Sequence, residues 1–162
     1  EDYVTKDRPR YTGMHKYVDQ EGGYAIWLPS DWREIPMNED HHGMIFTPYE
    51  DRMDTCFIAE KRTLPFKVSE KDFDVLREGF EEGLQSLSEV EIESRNERIT
   101  KTFKILEARC TFIEVGVRRM RWIRNAYWGE GQLIFIAQGA TEKEFERYEG
   151  MFYNTMMTVD IG

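Results

Sequence analysis

Cysteine is scarce in this chain: Cys56 and Cys110 are the two it has, far apart and without the paired spacing of a zinc ribbon or a redox CxxC motif. Both fall in expected strands on the apolar face, and the pair reads either as two buried thiols or as one disulfide. Histidine is limited to three residues, no serine sits in a nucleophile elbow and no Gly-rich phosphate loop precedes a helix. Catalysis therefore finds no support in the sequence. Basic residues are also short, with 22 Lys and Arg against 31 Asp and Glu, a formal charge of -9 that repels nucleic acid and anionic lipid at long range. No apolar run approaches the roughly 20 residues that a bilayer-spanning helix needs.

What the chain has is size and aromatic mass. Its 162 residues suit one domain, and four Trp, eight Tyr and ten Phe supply a core without disulfide or metal staples. The first 14 residues are polar, charged and broken by Pro9 and Gly13, and read as a tether to a single domain over 15–162. A chain that opens on Glu1 behind such a segment leads to the expectation of an exported, extracytoplasmic protein with a possible N-terminal tether to a membrane; a cytoplasmic setting is the alternative.

Strand periodicity dominates. Tyr24, Ile26 and Leu28 share one face of a strand that follows the Glu21-Gly22-Gly23 turn, and Pro29 ends it ahead of Trp32. Residues 33–42 read as a loop because they are polar and carry Pro36; short strands follow at Met44 to Thr47 and within Asp54 to Leu64. Ser69 heads a helix with a capping box to Asp72 and an inward stripe of Phe73, Leu76, Phe80, Leu84 and Leu87. Gly79 and Gly83 lie beside that stripe and predict close approach of the helix to a sheet. From Glu89 to Gln138 long strands alternate with short turns, and Leu133 to Ala137 is apolar on both faces, as expected of a central strand covered above and below. A last helix opens on Thr141 with Glu144 completing the box, carries Phe145, Tyr148, Phe152 and Met156 inward, and leads to a short strand at Val159 to Ile161. The sum is an α+β domain with a central antiparallel sheet flanked by helices, an α/β/α sandwich.

Asp19, Gly23, Tyr24, Ile26, Pro29 and Trp32, then the hairpin Trp128 to Phe135 and the closing helix with Phe145, Phe152 and Met156, together resemble the PsbP-like family, named for an extrinsic subunit of photosystem II. The resemblance covers about residues 15 to 161 and implies the same sheet between helices. Its superfamily includes photosynthetic subunits, a Ran-binding nuclear import factor and bacterial chaperones for secreted effectors, so it implies a scaffold and not a reaction.

Two clusters are candidate sites. His41 and His42, behind Glu39 and Asp40, are the densest potential ligands for zinc, nickel or copper, although adjacent loop residues seldom point together and the alternative is plain solvent exposure. Arg119, Arg121, Trp122, Arg124, Tyr127 and Trp128 concentrate the residue types of protein-binding hot spots. Strand alternation divides them, with Trp122, Arg124 and Trp128 on one face and Arg119, Arg121 and Tyr127 on the other, and cross-strand pairing with acids such as Glu91, Glu93 and Glu107 is the simpler account. The expected function is a non-enzymatic module that needs no cofactor and binds an unidentified protein partner. A metal- or small-molecule-binding role is the second reading, and the third is a cytoplasmic chaperone with an apolar groove lined by Trp27, Trp122 or Trp128.

Overall fold

The computed structural model describes residue 9, residues 11–100 and residues 103–161. Of the polar lead, residues 1–8 and 10 lie outside the described residues, whereas Tyr11 already packs against the core and the Gly13 carbonyl accepts the Ser30 amide at 2.8 Å.

Turn chemistry at Asp19 sets the first element. The Asp19 carboxylate accepts the Gly22 amide at 2.7 Å, and Gly23 turns the chain at φ 74°, a left-handed backbone that glycine adopts without strain. Strands β1 (Met14–Asp19) and β2 (Tyr24–Pro29) therefore pair antiparallel. They do not join the central sheet: with β10 (Asp160–Ile161) they form a separate three-stranded sheet. Tyr24, Ile26 and Leu28 face inward and are buried, while Trp27 points to solvent.

The second sheet has seven antiparallel strands in the order β3-β4-β5-β9-β8-β7-β6. They are β3 (Arg33–Pro36), β4 (His42–Thr47), β5 (Cys56–Thr63), β6 (Glu91–Ile99), β7 (Lys104–Glu114), β8 (Val117–Trp128) and β9 (Gly131–Gly139). The expected loop over 33–42 is corrected by β3, which pairs Arg33 to Pro36 with β4. Pro36 is tolerated because it ends an edge strand, where an absent N–H costs the ladder little.

Helix α1 (Phe73–Gln85) follows a single 3-10 turn, Glu70–Asp72, and the capping box forms as expected, with the Asp72 carboxylate accepting the Ser69 amide at 2.9 Å. In helix α2 (Glu142–Met157) the Thr141 hydroxyl accepts the Glu144 amide at 3.1 Å. Helix α2 and the small sheet cover one face of the large sheet, burying Phe57, Leu133, Phe135, Ala137, Phe145, Tyr148 and Phe152 in one core. Where β9 meets α2, a Cβ on Gly139 would collide with the Phe145 backbone, so this close approach requires glycine. Among the described residues the opposite face of the sheet carries α1 and, at its start, Leu64, Phe66 and Val68 of the segment that leads into it.

Candidate functional site

Helix α1 covers only part of its face. Its inward residues Phe73, Leu76 and Leu84 pack on Leu106, Ala108 and Cys110 of β7 and on Tyr127 of β8. Beyond it the strand register assembles one transverse row: Ile35 pairs with Ile45, Ile45 with Ile58, Ile58 with Ile136, and Ile136 with Ile123. Directly paired residues share a face, so these isoleucines form an apolar ladder across β3, β4, β5, β9 and β8. All of them are half-buried. The cover expected on both faces of the central strand is thus complete on one side, where Leu133, Phe135 and Ala137 are at most 1% exposed, and partial on the other.

The edge of α1 beside this floor is bare. Val75, Gly79 and Gly83 recur at four-residue spacing, and a Cβ built on either glycine meets nothing within 4 Å. The expectation that these glycines allow close helix–sheet approach is therefore corrected: they widen a cleft of about 540 Å³, bordered by Val75, Gly79, Phe80, Ile123, Ile134 and Ile136. On its far edge the helix is tied to β6, with Arg77 to Glu97 at 2.7 Å and Arg95 to Glu81 at 2.7 Å. One edge of α1 is pinned and the other left open. Glu78 and Glu82, each one residue before a glycine, stand exposed on the outer face of α1, turned away from the sheet, without an ion-pair partner among the described residues.

Of the polar residues that line the cleft, which include Arg62, Arg121 and Gln132, Glu60 and Asn125 are the most buried. Glu60 is 5% exposed and takes His41 Nδ1 at 2.8 Å and Arg62 Nε at 3.1 Å, so its charge is paired. Asn125 is 8% exposed; its amide nitrogen donates to the Tyr127 hydroxyl at 3.2 Å, while its carbonyl oxygen has no partner. A buried amide oxygen left bare costs about 1–3 kcal/mol, which a donor entering the cleft would recover.

This architecture was compared with known proteins. No protein-family model matches the chain, and no curated protein does. Solved structures do match. The cyanobacterial PsbP of Synechocystis superposes with TM-score 0.67 at 14% identity, over 94% of this chain and 95% of its own. The chain has a PsbP-like fold. LpqN of Mycobacterium tuberculosis, involved in cell envelope biogenesis, matches with TM-score 0.59 at 14% identity over 98% and 94% of the two chains. The Ran-binding protein Mog1p of Saccharomyces cerevisiae matches with TM-score 0.54 at 5% identity over 92% and 95%. At such identities the shared property is the fold.

In this PsbP-like frame the arginine–tryptophan set is split as alternation predicts. Arg119 is 7% exposed and held by Glu114 at 2.9 Å and Asp54 at 3.5 Å. Arg121 donates through Nε and Nη2 to the Gln138 side-chain oxygen at 2.9 and 2.5 Å, and burial lowers its pKa. Tyr127 lies beneath the start of α1. On the opposite face Trp122 is 3% exposed, gives its indole N–H to Glu107 and carries the Arg109 guanidinium 4.7 Å above its ring. Arg124 and Trp128 line the core on that side. The six residues form no common surface, and the groove lined by Trp27, Trp122 or Trp128 gives way to one floored by isoleucines. Among the expected acids, Glu91 does pair with a β8 arginine, Arg118, at 3.8 Å, but Glu107 serves the Trp122 indole.

His41 and His42 also part. His41 bonds Glu60, whereas His42 Nε2 bonds Asp19 at 2.7 Å and its Nδ1 lies 3.7 Å from Glu21. Among the described residues no group of three or more His, Cys, Asp or Glu is placed to hold a metal ion.

Proposed function

We propose that the chain is a non-enzymatic binding module whose partner is a protein, engaged across the open half of the large sheet beside α1. The observation that carries this reading is the isoleucine ladder: strand residues are held in register, half-buried, on a face that a helix covers only at one end. Burying such side chains fully is worth on the order of 1 kcal/mol each beyond what they already gain, enough over several residues to support association.

The occupant that fits is an amphipathic helix with basic residues. It would lie alongside α1, its apolar stripe on the ladder, its backbone close to Gly79 and Gly83, and its cations reaching over the edge of α1 toward Glu82 on the outer face. That one similar structure is a Ran-binding protein supports a protein partner in kind, without pointing to its identity.

The test is a photo-crosslinking residue placed at Ile58 and, as a control, at exposed Glu93 on β6, with adducts from the source organism mapped by mass spectrometry. The reading expects adducts at Ile58 only, joined to a basic helical segment. Equal adducts at both positions, acidic or non-helical adducts, or none at Ile58 would overturn it.

A further inference from the structure

A second cavity, on the other face of the sheet, has chemistry of its own. It holds about 290 Å³ between β7, β8 and the end of α2, and Ile105, Ala126, Phe135 and Met156 make its apolar floor. Two arginines border it, Arg98 from β6 and Arg124 from β8. Arg98 is paired with Ile105 and Arg124 with Glu107, which puts both guanidinium-bearing side chains on the same face, two strands and two residues apart. That is roughly 12 Å between Cα atoms, close enough for two long side chains to converge on one headgroup.

Neither arginine has a carboxylate within ion-pair distance among the described residues, although the chain has nine more acidic than basic side chains. Among the described residues the Arg124 head makes one long hydrogen bond, donated to the Met156 carbonyl at 3.4 Å. Two other arginines that border apolar surface are neutralised, Arg119 by Glu114 and Arg109 by Glu149, whereas Arg121 is held by the neutral Gln138 side chain. An apolar cavity beside two guanidinium groups that make no ion pair among the described residues is complementary to a chain that ends in an anion, and the planar fork of arginine matches a carboxylate in two parallel hydrogen bonds.

We propose that this cavity binds a single-chain alkyl carboxylate, with the tail against Ile105, Ala126, Phe135 and Met156 and the headgroup between Arg98 and Arg124. The volume is at the small end of ligand pockets, so one short chain fits and a two-chain lipid does not. The site lies across the sheet from the isoleucine ladder and does not rest on the protein-binding reading.

Sodium decanoate and 1-decanol, each kept below its aggregation limit, are the probes, and methionine methyl NMR of the full chain is the readout. The proposal expects decanoate to shift the Met156 and Met157 resonances saturably, with Met53 on a distant loop unmoved, and decanol to bind at least tenfold more weakly. Arg124→Gln and, on the exposed edge strand where folding is not at stake, Arg98→Gln should each raise the decanoate dissociation constant about tenfold. No saturable shift at Met156 or Met157, equal binding of decanol, or unchanged affinity in Arg98→Gln would overturn it.

Discussion

Cys56 and Cys110 lie in the same transverse row of the sheet, separated by Gln138 and Arg121. Three strand spacings set them about 14 Å apart, twice the reach of a disulfide, and both are free and buried. Burial pushes the Cys56 thiol up from 9.0 to about 12, and burial likewise raises Cys110 and Tyr127. A group whose pKa is raised on folding contributes stability that is complete below its unfolded pKa and is lost as pH rises through the folded value. Urea unfolding should therefore show stability flat from pH 7 to about 9, then falling toward pH 12 by at most about 1.4 kcal/mol per pH unit for each such group. Reductant should leave the midpoint unchanged, and a thiol reagent should count two cysteines only after unfolding.

Gly79→Ala and Gly83→Ala separate stability from binding. Both positions are helical with open space at the missing Cβ, so each substitution should raise unfolding free energy by about 0.5–1 kcal/mol in urea titrations. The same methyl groups narrow the cleft beside α1, and partner affinity should fall while stability rises. Gly139→Ala should behave oppositely, destabilising the fold because the Phe145 backbone occupies the space.

Trp122→Phe should destabilise by about 1–3 kcal/mol, since it strips the Glu107 carboxylate of its indole donor inside the packed core. Binding at the isoleucine face should be unchanged, because Trp122 projects from the opposite side of β8. Denaturant midpoints and a binding titration on the same variant check both halves.

His42→Ala removes the side-chain tie between Asp19 of the small sheet and β4 of the large one, at a cost of about 1 kcal/mol. Zinc calorimetry on the unaltered chain should give no saturable heat, since the two imidazoles engage separate carboxylates; a stoichiometric signal lost in both His41→Ala and His42→Ala would contradict this.

Local chemistry made much of the fold legible in the sequence. The Asp19–Gly23 turn, the Ser69 capping box, the Thr141 N-cap and the inward stripes of the helices depend on neighbours a few residues apart and formed as expected; the reciprocal half of the box expected at Thr141 does not form, the Glu144 carboxylate accepting from the Tyr49 hydroxyl instead. Strand β3 was hidden because its four residues are mostly polar and end in Pro36. The separate small sheet was hidden because β10, a strand of two residues, closes it from the far end of the chain. The candidate site was the least legible. Its isoleucines come from strands β3, β4, β5, β8 and β9, and only the register between those strands brings them into one row. The single clue was the two-faced apolar run Leu133 to Ala137, which called for cover that the described residues do not fully provide.

Isoleucine methyl NMR of the full chain, titrated with an amphipathic Leu/Lys helical peptide and with its Leu/Glu counterpart, tests the central claim most directly. The account predicts that the Lys peptide saturably shifts Ile58, Ile123 and Ile136 while core Ile26 stays in place, that Ile136→Glu weakens the interaction at least tenfold, and that the Glu peptide does not bind. Shifts produced equally by both peptides, or a Lys peptide that leaves the ladder unperturbed, would contradict it.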